Sequence, residues 1–321
     1  MQVLRDPLGN DDPPRGAVLT IGNFDGVHIG HQAILSRVVE RSEALGTVAA
    51  AMTFDPHPLK LLHPKAAPRL MTTMAERLQL LEKQRVEVAL VVPFTHSLAR
   101  MRAVDFVRRV LVDRLAVREV LIGENFFFGA DREGDVHLLE RLGEELGFQA
   151  HGVPPVVLGH EVVSSTRIRQ EIARGHVDAV WELLGRPLFI DGQVFQGERL
   201  GRRLGFPTLN TAVENELYPA HGVYVTVVHI PSFGRAFAAV TNIGVRPTVY
   251  ENYSTTIESH LLDFTADLYN ERVRIFFVRR IRDEKVFSST MALVAQIRRD
   301  VQSARDWFSE HPVSTLDLVC P

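Results

Sequence analysis

Between Ala17 and about Leu184 short apolar runs alternate with amphipathic segments, and after "LLGRP" (Leu183 to Pro187) the alternation stops. That change of rhythm limits the possible folds more than any other feature of the chain. The runs "AVLTIG", "TVAAAMTF", "VEVALVVPF" and "REVLIG" read as buried strands. "QAILSRVVERSEALG", "MAERLQLLEKQ", "AVDFVRRVLVDRL" and "HLLERLGEELG" read as helices, and "RIRQEIARG" with "VDAVWELLG" closes the region helically. Strands that alternate with such helices predict a doubly wound parallel sheet covered on both faces. Beyond it, "LFIDGQVF", "VYVTVVHI", "AFAAVTNI", "IESHLLDF" and "VRIFFVRRI" are strand-like, with turn formers and no helices between them. They predict a small antiparallel barrel or sandwich. In "STMALVAQIRRDVQSARDWF" apolar residues recur at Leu293, Val294, Ile297 and Val301, which predicts a C-terminal helix packed on the barrel. The expected domains are 1–184 and 185–321.

The composition agrees with two soluble domains. A chain of 321 residues fits about two domains of roughly 150, and 45% hydrophobic residues supply two cores. A net charge of -3 argues against nucleic acid or an anionic membrane as the main partner. The single cysteine, Cys320, excludes an internal disulfide and a multi-cysteine metal site. "MQVLRDPLGNDDPP" has early acids and no apolar core, unlike a signal peptide, and no apolar run approaches the roughly 18 residues of a membrane helix. A cytoplasmic protein is expected, as a monomer or a weak homo-oligomer.

The first chemistry-bearing stretch is "GNFDGVHIGH", from Gly22 to His31, between a strand and a helix. Open α/β sheets bind ligands at the carboxyl ends of their strands, and a helix N-terminus favours anions. Two histidines three residues apart share a helical face there and can donate to phosphate oxygens. Gly22, Gly26 and Gly30 let a ligand approach the backbone. An ordinary glycine-rich turn fits the residues equally well. A metal site fits less well, because neither HExxH nor a cysteine partners the pair. The chain has no Gly-x-Gly and no Gly-Lys, so the common dinucleotide and P-loop motifs are missing.

The second stretch, "GERLGRRLGFPTLN" (Gly197 to Asn210), combines three glycines, three arginines and P-T-x-N. Its backbone can meet phosphates, and Thr208 and Asn210 are hard oxygen ligands suited to magnesium held with ATP. Taken alone, the loop also reads as a basic hairpin turn. Downstream, the alternation of "IESHLLDF" puts Glu258, His260, Leu262 and Phe264 on one, mostly inward, strand face. A carboxylate there is either a general base for a hydroxyl nucleophile or half of a structural ion pair.

Read together, the motifs narrow these alternatives. "IGNFDGVHIGH", "TFDPHP", "GENFFFG" and "SSTRIR" occur in the order seen in prokaryotic bifunctional riboflavin kinase/FAD synthetases, and H-x-G-H resembles the wider nucleotidyltransferase superfamily. "GFPTLN", "GVYV", "TNIGVRPTV", "ESHLLDF" and "IRDEKVF" resemble the riboflavin kinase module of the same family. The resemblance implies a nucleotidyltransferase sheet followed by a six-stranded barrel. It also implies two ATP-dependent reactions with Mg2+: riboflavin to FMN with release of ADP, and FMN to FAD with release of pyrophosphate.

By the same resemblance, His28 and His31 meet the ATP phosphates and the transition state. Gly22, Asn23, Asp25, Gly30, His57, Asn125 and the run Ser164, Ser165, Thr166 and Arg167 complete the nucleotide and flavin sites, with Arg167 neutralising pyrophosphate. Thr208 and Asn210 hold magnesium, Gly201 and Arg203 cover the phosphates, Glu258 accepts the hydroxyl proton, and Arg282 lies with the terminal helix near the flavin. Two positions depart from the family pattern. Phe127 stands where a polar or basic residue is usual, and Leu209 where alanine is, so that its larger side chain is expected to reshape the pocket wall. The rival readings are a riboflavin kinase with a degenerate adenylyltransferase module, and a flavin-binding regulator without turnover.

Overall fold

The structure is a computed structural model of the chain that describes residues 1–197, 200–246, 254–264 and 266–320. Parts of two quoted motifs, residues 198–199 of the glycine-rich loop and 247–249 of "TNIGVRPTV", lie outside the described residues.

The first compact unit comprises Met1–Leu70 and Met74–Ser165. Among the described residues its main sheet has six strands: β1 (Gln2–Leu4), β2 (Val18–Ile21), β3 (Ala49–Asp55), β4 (Val88–Pro93), β5 (Glu119–Gly123) and β6 (Gln149–Val153). Their order is β1-β4-β3-β2-β5-β6, and every neighbouring pair is parallel. Alternate residues serve opposite layers. Leu19, Ala50, Val120 and Ile122 pack on one side with Val107, Leu111 and Leu139, whereas Val18, Ala49 and Leu121 pack on the other with Val38 and Val39. Helix α1 (Ile29–Leu45) supplies the second side and ends at left-handed Gly46.

The connections are α2 (Pro58–Leu62), α3 (Met74–Lys83), α4 (His96–Ala99), α5 (Ala103–Phe106), continued as a π-helix over Val107–Arg114, and α6 (Val136–Leu146). A hairpin of β7 (Val157–Leu158) and β8 (Glu161–Val162) follows. The doubly wound parallel sheet is as the alternation predicts. Strands β1 and β6 are additions to it.

The second unit comprises Thr166–Pro321 with Met71–Thr73. Most of α7 (Ser165–Arg174) and all of α8 (Val177–Leu184) therefore group with the C-terminal unit, not with the residues before 184 as the sequence suggests. The cause is packing: Val177 is buried in the barrel's interior cluster, and Trp181 packs against a second cluster of the same unit.

The barrel is closed and antiparallel, in the order β10-β13-β12-β11-β14-β9. Its strands are β9 (Leu188–Phe195), β10 (Leu209–Val213), β11 (Gly222–Ile230), β12 (Arg235–Arg246), β13 (Ser254–Leu261) and β14 (Arg272–Arg282). Strand β10 is the one that the apolar pattern does not show. Ile190, Val194, Tyr224, Val228, Ala239, Ile243, Ile257, Leu261, Ile275 and Phe277 fill the inside. Leu209 packs its side chain against this core, so much of its extra volume goes into the barrel.

Outside the barrel, α10 (Thr290–Glu310) starts at Ser289, whose hydroxyl accepts from the Ala292 amide at 3.2 Å. The helix packs on the barrel as expected, with Val301 against the outer cluster; Leu293, Val294 and Ile297 are half-buried, and the buried anchors are Asp300, Ala304 and Trp307 in the second half.

Candidate active sites

In the first unit the chain leaves β2 toward β3 and β4 and returns on the opposite side as β5. The carboxyl ends of β2 and β5 therefore flank a topological switch point, where open α/β sheets form their binding crevice. "GNFDGVHIGH" follows β2 and "GENFFFG" follows β5, so both stretches emerge at that place. Positive φ angles at Phe24, Gly26 and Val27 fold the first loop tightly.

His28 ends the loop in extended backbone and caps α1, its Nδ1 accepting from the His31 amide at 3.3 Å. In the neutral ring the proton then sits on Nε2, which is the donor position. The His28 and His31 rings stack with centroids 3.7 Å apart at 18°, and Phe24 meets His31 edge-on at 5.2 Å. A side-chain carbon at Gly30 would come within 3.1 Å of His28 Nδ1, so glycine makes room for the ring. His28 is 6% exposed and Asp25 1%.

Several of the expected residues converge on this loop. The Asp25 carbonyl accepts from the Ser165 hydroxyl at 3.3 Å, the Asn23 carbonyl from the Thr53 hydroxyl at 3.1 Å, and Gly22 donates to the Met52 carbonyl at 3.0 Å. Ser164 is half-buried beside them in sequence, Thr166 is exposed, and Arg167 is half-buried in the first turn of α7. His57 sits on the loop after β3 and caps α2, accepting from the Leu59 amide at 3.2 Å. Asn125 is exposed in the turn after β5. Phe127 is 46% exposed, with the Arg132 guanidinium 4.9 Å above its ring, so a cation stands at this loop even though residue 127 is aromatic.

In the second unit the site is built on the outer wall of the barrel. Ile257 and Leu261 belong to the interior, and Ser259 is buried in a hydrogen bond to the Thr241 hydroxyl at 2.8 Å. Glu258 and His260 therefore face outward, which reverses the inward placement read from alternation. Asn210 pairs with Glu258, Glu258 with Asn242, Asn242 with Val223, and Val223 with Arg282. Residues directly opposed in antiparallel strands share a face, so one transverse row carries Asn210, Glu258, Asn242 and Arg282. Asn242 was not among the residues singled out from the sequence, and only the register reveals it.

Arg282 is engaged in the row's other purpose. Its Nε lies 3.1 Å from each Asp300 oxygen and its Nη2 2.8 Å from Oδ2. This ion pair fastens α10 to the barrel.

Between β9 and β10, Gly197 and the stretch from α9 (Leu200–Arg203) onward approach the Asn210 end of this row. A side-chain carbon at Gly197 would lie 2.5 Å from Asn210 Nδ2. One at Gly201 would lie 2.4 Å from the Phe206 carbonyl and 3.1 Å from Thr208 Oγ1. Asn210 is 7% exposed, and its Oδ1 has no hydrogen-bond partner among the described residues. Thr208, Asn210, Gly197 and Arg202 line a cleft with Asp267 and Tyr269 from the loop after β13. Arg203, the arginine chosen from the sequence, is exposed and does not line it, whereas Arg202 does. Asp267 and Tyr269 carried no motif signal. Among the described residues no group of three His, Cys, Asp or Glu side chains could hold a metal.

A histidine loop at a switch point and a carboxylate set beside hard oxygen donors are two different ways of moving a phosphorus group. The class is thus a nucleotide-dependent transferase with two modules. Residues 10–167 match the FAD synthetase family model and residues 184–308 the riboflavin kinase model. The chain is 40% identical over 305 residues to the bifunctional riboflavin kinase/FMN adenylyltransferase of Pseudomonas fluorescens, covering 95% of this chain and 97% of that one. To the protein so named in Haemophilus influenzae it is 34% identical over 309 residues, covering 96% and 100%.

The chain belongs to the bifunctional riboflavin kinase/FMN adenylyltransferase family and is a riboflavin kinase and an FMN adenylyltransferase. A crystal structure described as a macrolide-efflux protein from Streptococcus pneumoniae shares the fold at a TM-score of 0.86 and 29% identity, over 95% of this chain and 98% of that one. No helix among the described residues here is long and apolar enough to cross a membrane.

Proposed function

We propose that each reaction runs on the residues gathered above. In the first unit an FMN phosphate oxygen attacks the α-phosphorus of ATP, the bond from that phosphorus to the β-bridging oxygen breaks, and pyrophosphate leaves. His28, held by its cap so that Nε2 is the donor, and His31 stacked on it stabilise the charge that grows on the phosphate oxygens. The Gly22–Gly30 loop brings backbone close to the nucleotide. His57 supports the neighbouring loop through its cap on α2.

In the second unit Glu258 accepts the proton of the riboflavin 5′-hydroxyl as its oxygen takes the γ-phosphoryl group of ATP and ADP departs. Thr208 and Asn210 would hold Mg2+, and the donor set fits: a hydroxyl and an amide oxygen are hard ligands. A magnesium ion held there would supply charge neutralisation for the transferred phosphoryl group. The observation that carries this reading is the buried Asn210 Oδ1, which has no hydrogen-bond partner among the described residues, on the residue that pairs with Glu258 across the strands. Leaving such an atom unsatisfied costs about 1–3 kcal/mol, which a cation ligated there offsets. Gly201 lets the loop close over Thr208, and Arg202 in the cleft is the nearer candidate for phosphate charge than Arg203.

The test is a product time course from riboflavin and ATP, with FMN and FAD read separately. Wild-type protein is expected to accumulate FMN and then FAD. Glu258→Gln is expected to lower FMN formation by about 100-fold or more, to retain riboflavin binding, and to convert supplied FMN to FAD normally. Wild-type protein that binds flavin but turns over neither substrate would establish a regulator instead.

A further inference from the structure

We propose that His260 is a positioning residue for riboflavin phosphorylation, and that it acts by anchoring the Thr208 end of the magnesium-binding pair. The β10–β13 ladder pairs Asn210 with Glu258 and Leu209 with Ser259, and it goes no further. One more step would set Thr208 opposite His260. Pro207 follows, and with no N–H it cannot donate to a ladder. The backbone that carries Thr208 is therefore fixed by the sheet on its Asn210 side only.

His260 supplies the missing anchor. Its Nδ1 lies 2.8 Å from the Pro207 carbonyl oxygen, which can only accept, so the ring nitrogen donates. The ring also stands edge-on to Phe206, with centroids 5.6 Å apart at 81°. On the other side, Phe206 donates to the Gly201 carbonyl at 2.8 Å. The Phe206–Thr208 segment is thus clamped between the glycine loop and a side chain of β13. His260 stands two residues from Glu258 on the same outward face, so one strand fixes both the general base and the loop that bears Thr208.

The proposal rests on the assignment of Thr208 and Asn210 to magnesium, and the experiment separates the two claims. Riboflavin phosphorylation by the full chain is measured against Mg2+ concentration for wild type, His260→Leu, His260→Asn and Asn210→Ala. FAD formation from FMN and the melting temperature serve as controls. His260→Leu removes the donor and keeps bulk. It is expected to raise the Mg2+ concentration for half-maximal rate by about 10-fold or more, the size typical of groups that orient metal ligands, without changing the KM for riboflavin. In His260→Asn the amide Nδ2–H takes the place of Nδ1–H, and the Mg2+ dependence is expected to return to within about 3-fold of wild type.

A folded His260→Leu protein with wild-type Mg2+ dependence, beside a shifted Asn210→Ala, overturns the proposal alone. So does a His260→Asn protein as impaired as His260→Leu. An unshifted Asn210→Ala overturns the magnesium assignment and the proposal with it. His260→Ala repeats the measurement if the leucine protein does not fold.

Discussion

Arg282 and Asp300 show how one residue's partner decides its role. Asp300 is 3% exposed and also accepts from Gln296 Nε2 at 2.7 Å, so its carboxylate is fully committed. Removing one half of a buried pair strands the other charge, at a cost of about 3–5 kcal/mol. Arg282→Met is therefore expected to lower the melting temperature markedly while leaving the KM for riboflavin near wild type. A large rise in KM at unchanged stability would return Arg282 to the flavin site. The motif string names the arginine, but its partner stands on a helix beyond a turn, and no local pattern links the two.

His229 offers a second test at this scale. Burial holds its pKa below the usual value, with Arg274 acting in the same direction and Asp191 against it. The folded state then binds fewer protons than the unfolded state as pH falls through the unfolded pKa of about 6.5. Stability from this group is complete above that pH and is lost below it, down to the depressed folded value. His229→Gln is expected to flatten the loss of thermal stability between about pH 7 and 5, as read by melting curves.

At the scale of elements, the parallel sheet was the more legible half. Its central runs are apolar throughout because both faces are covered, and the helices between them keep their period. Strand β6, "QAHGV", has exposed and half-buried residues and no such run, and β1 is only three residues long. The barrel hides its parity for a related reason. Every residue of β11 is buried, because the interior takes one face and α10 with its neighbours covers much of the other. Hydropathy then cannot tell inside from outside, and alternation alone puts Glu258 on the wrong one. Register resolves it, since Asn210 and Glu258 oppose each other.

The glycine-rich loop was legible by composition, but which glycine mattered was not. At Gly201 an added methyl would meet backbone, at 2.4 Å from the Phe206 carbonyl. Gly201→Ala is expected to displace Thr208 and reduce kinase turnover by about 100-fold with FAD formation from FMN unaffected. Steady-state rates for each half-reaction check this.

On the scale of the whole molecule, two compact units carry two sets of chemistry. His28→Ala is expected to abolish FAD formation, because it removes both the cap of α1 and the ring stacked on His31, while riboflavin is phosphorylated at near the wild-type rate. Equal loss of both activities would refute separate sites. The ordered motifs made this pairing of activities readable from the chain. They did not reveal where the compact units divide, since α8 follows a helical rhythm typical of the first region yet buries Val177 in the barrel.

Closure of the barrel has a consequence for how damage shows itself. In a ring of six strands each strand is held on both sides, so β13 has no free edge along which to drift. A slip by a single residue would exchange Glu258 for Ser259, send the carboxylate into the apolar interior and dismantle the row at once. With respect to the register of β13, each molecule is then either competent or inert. Substitutions that weaken the barrel should shrink the competent fraction at constant turnover per competent molecule, and counting active sites, rather than timing the bulk reaction, is the measurement that separates the two.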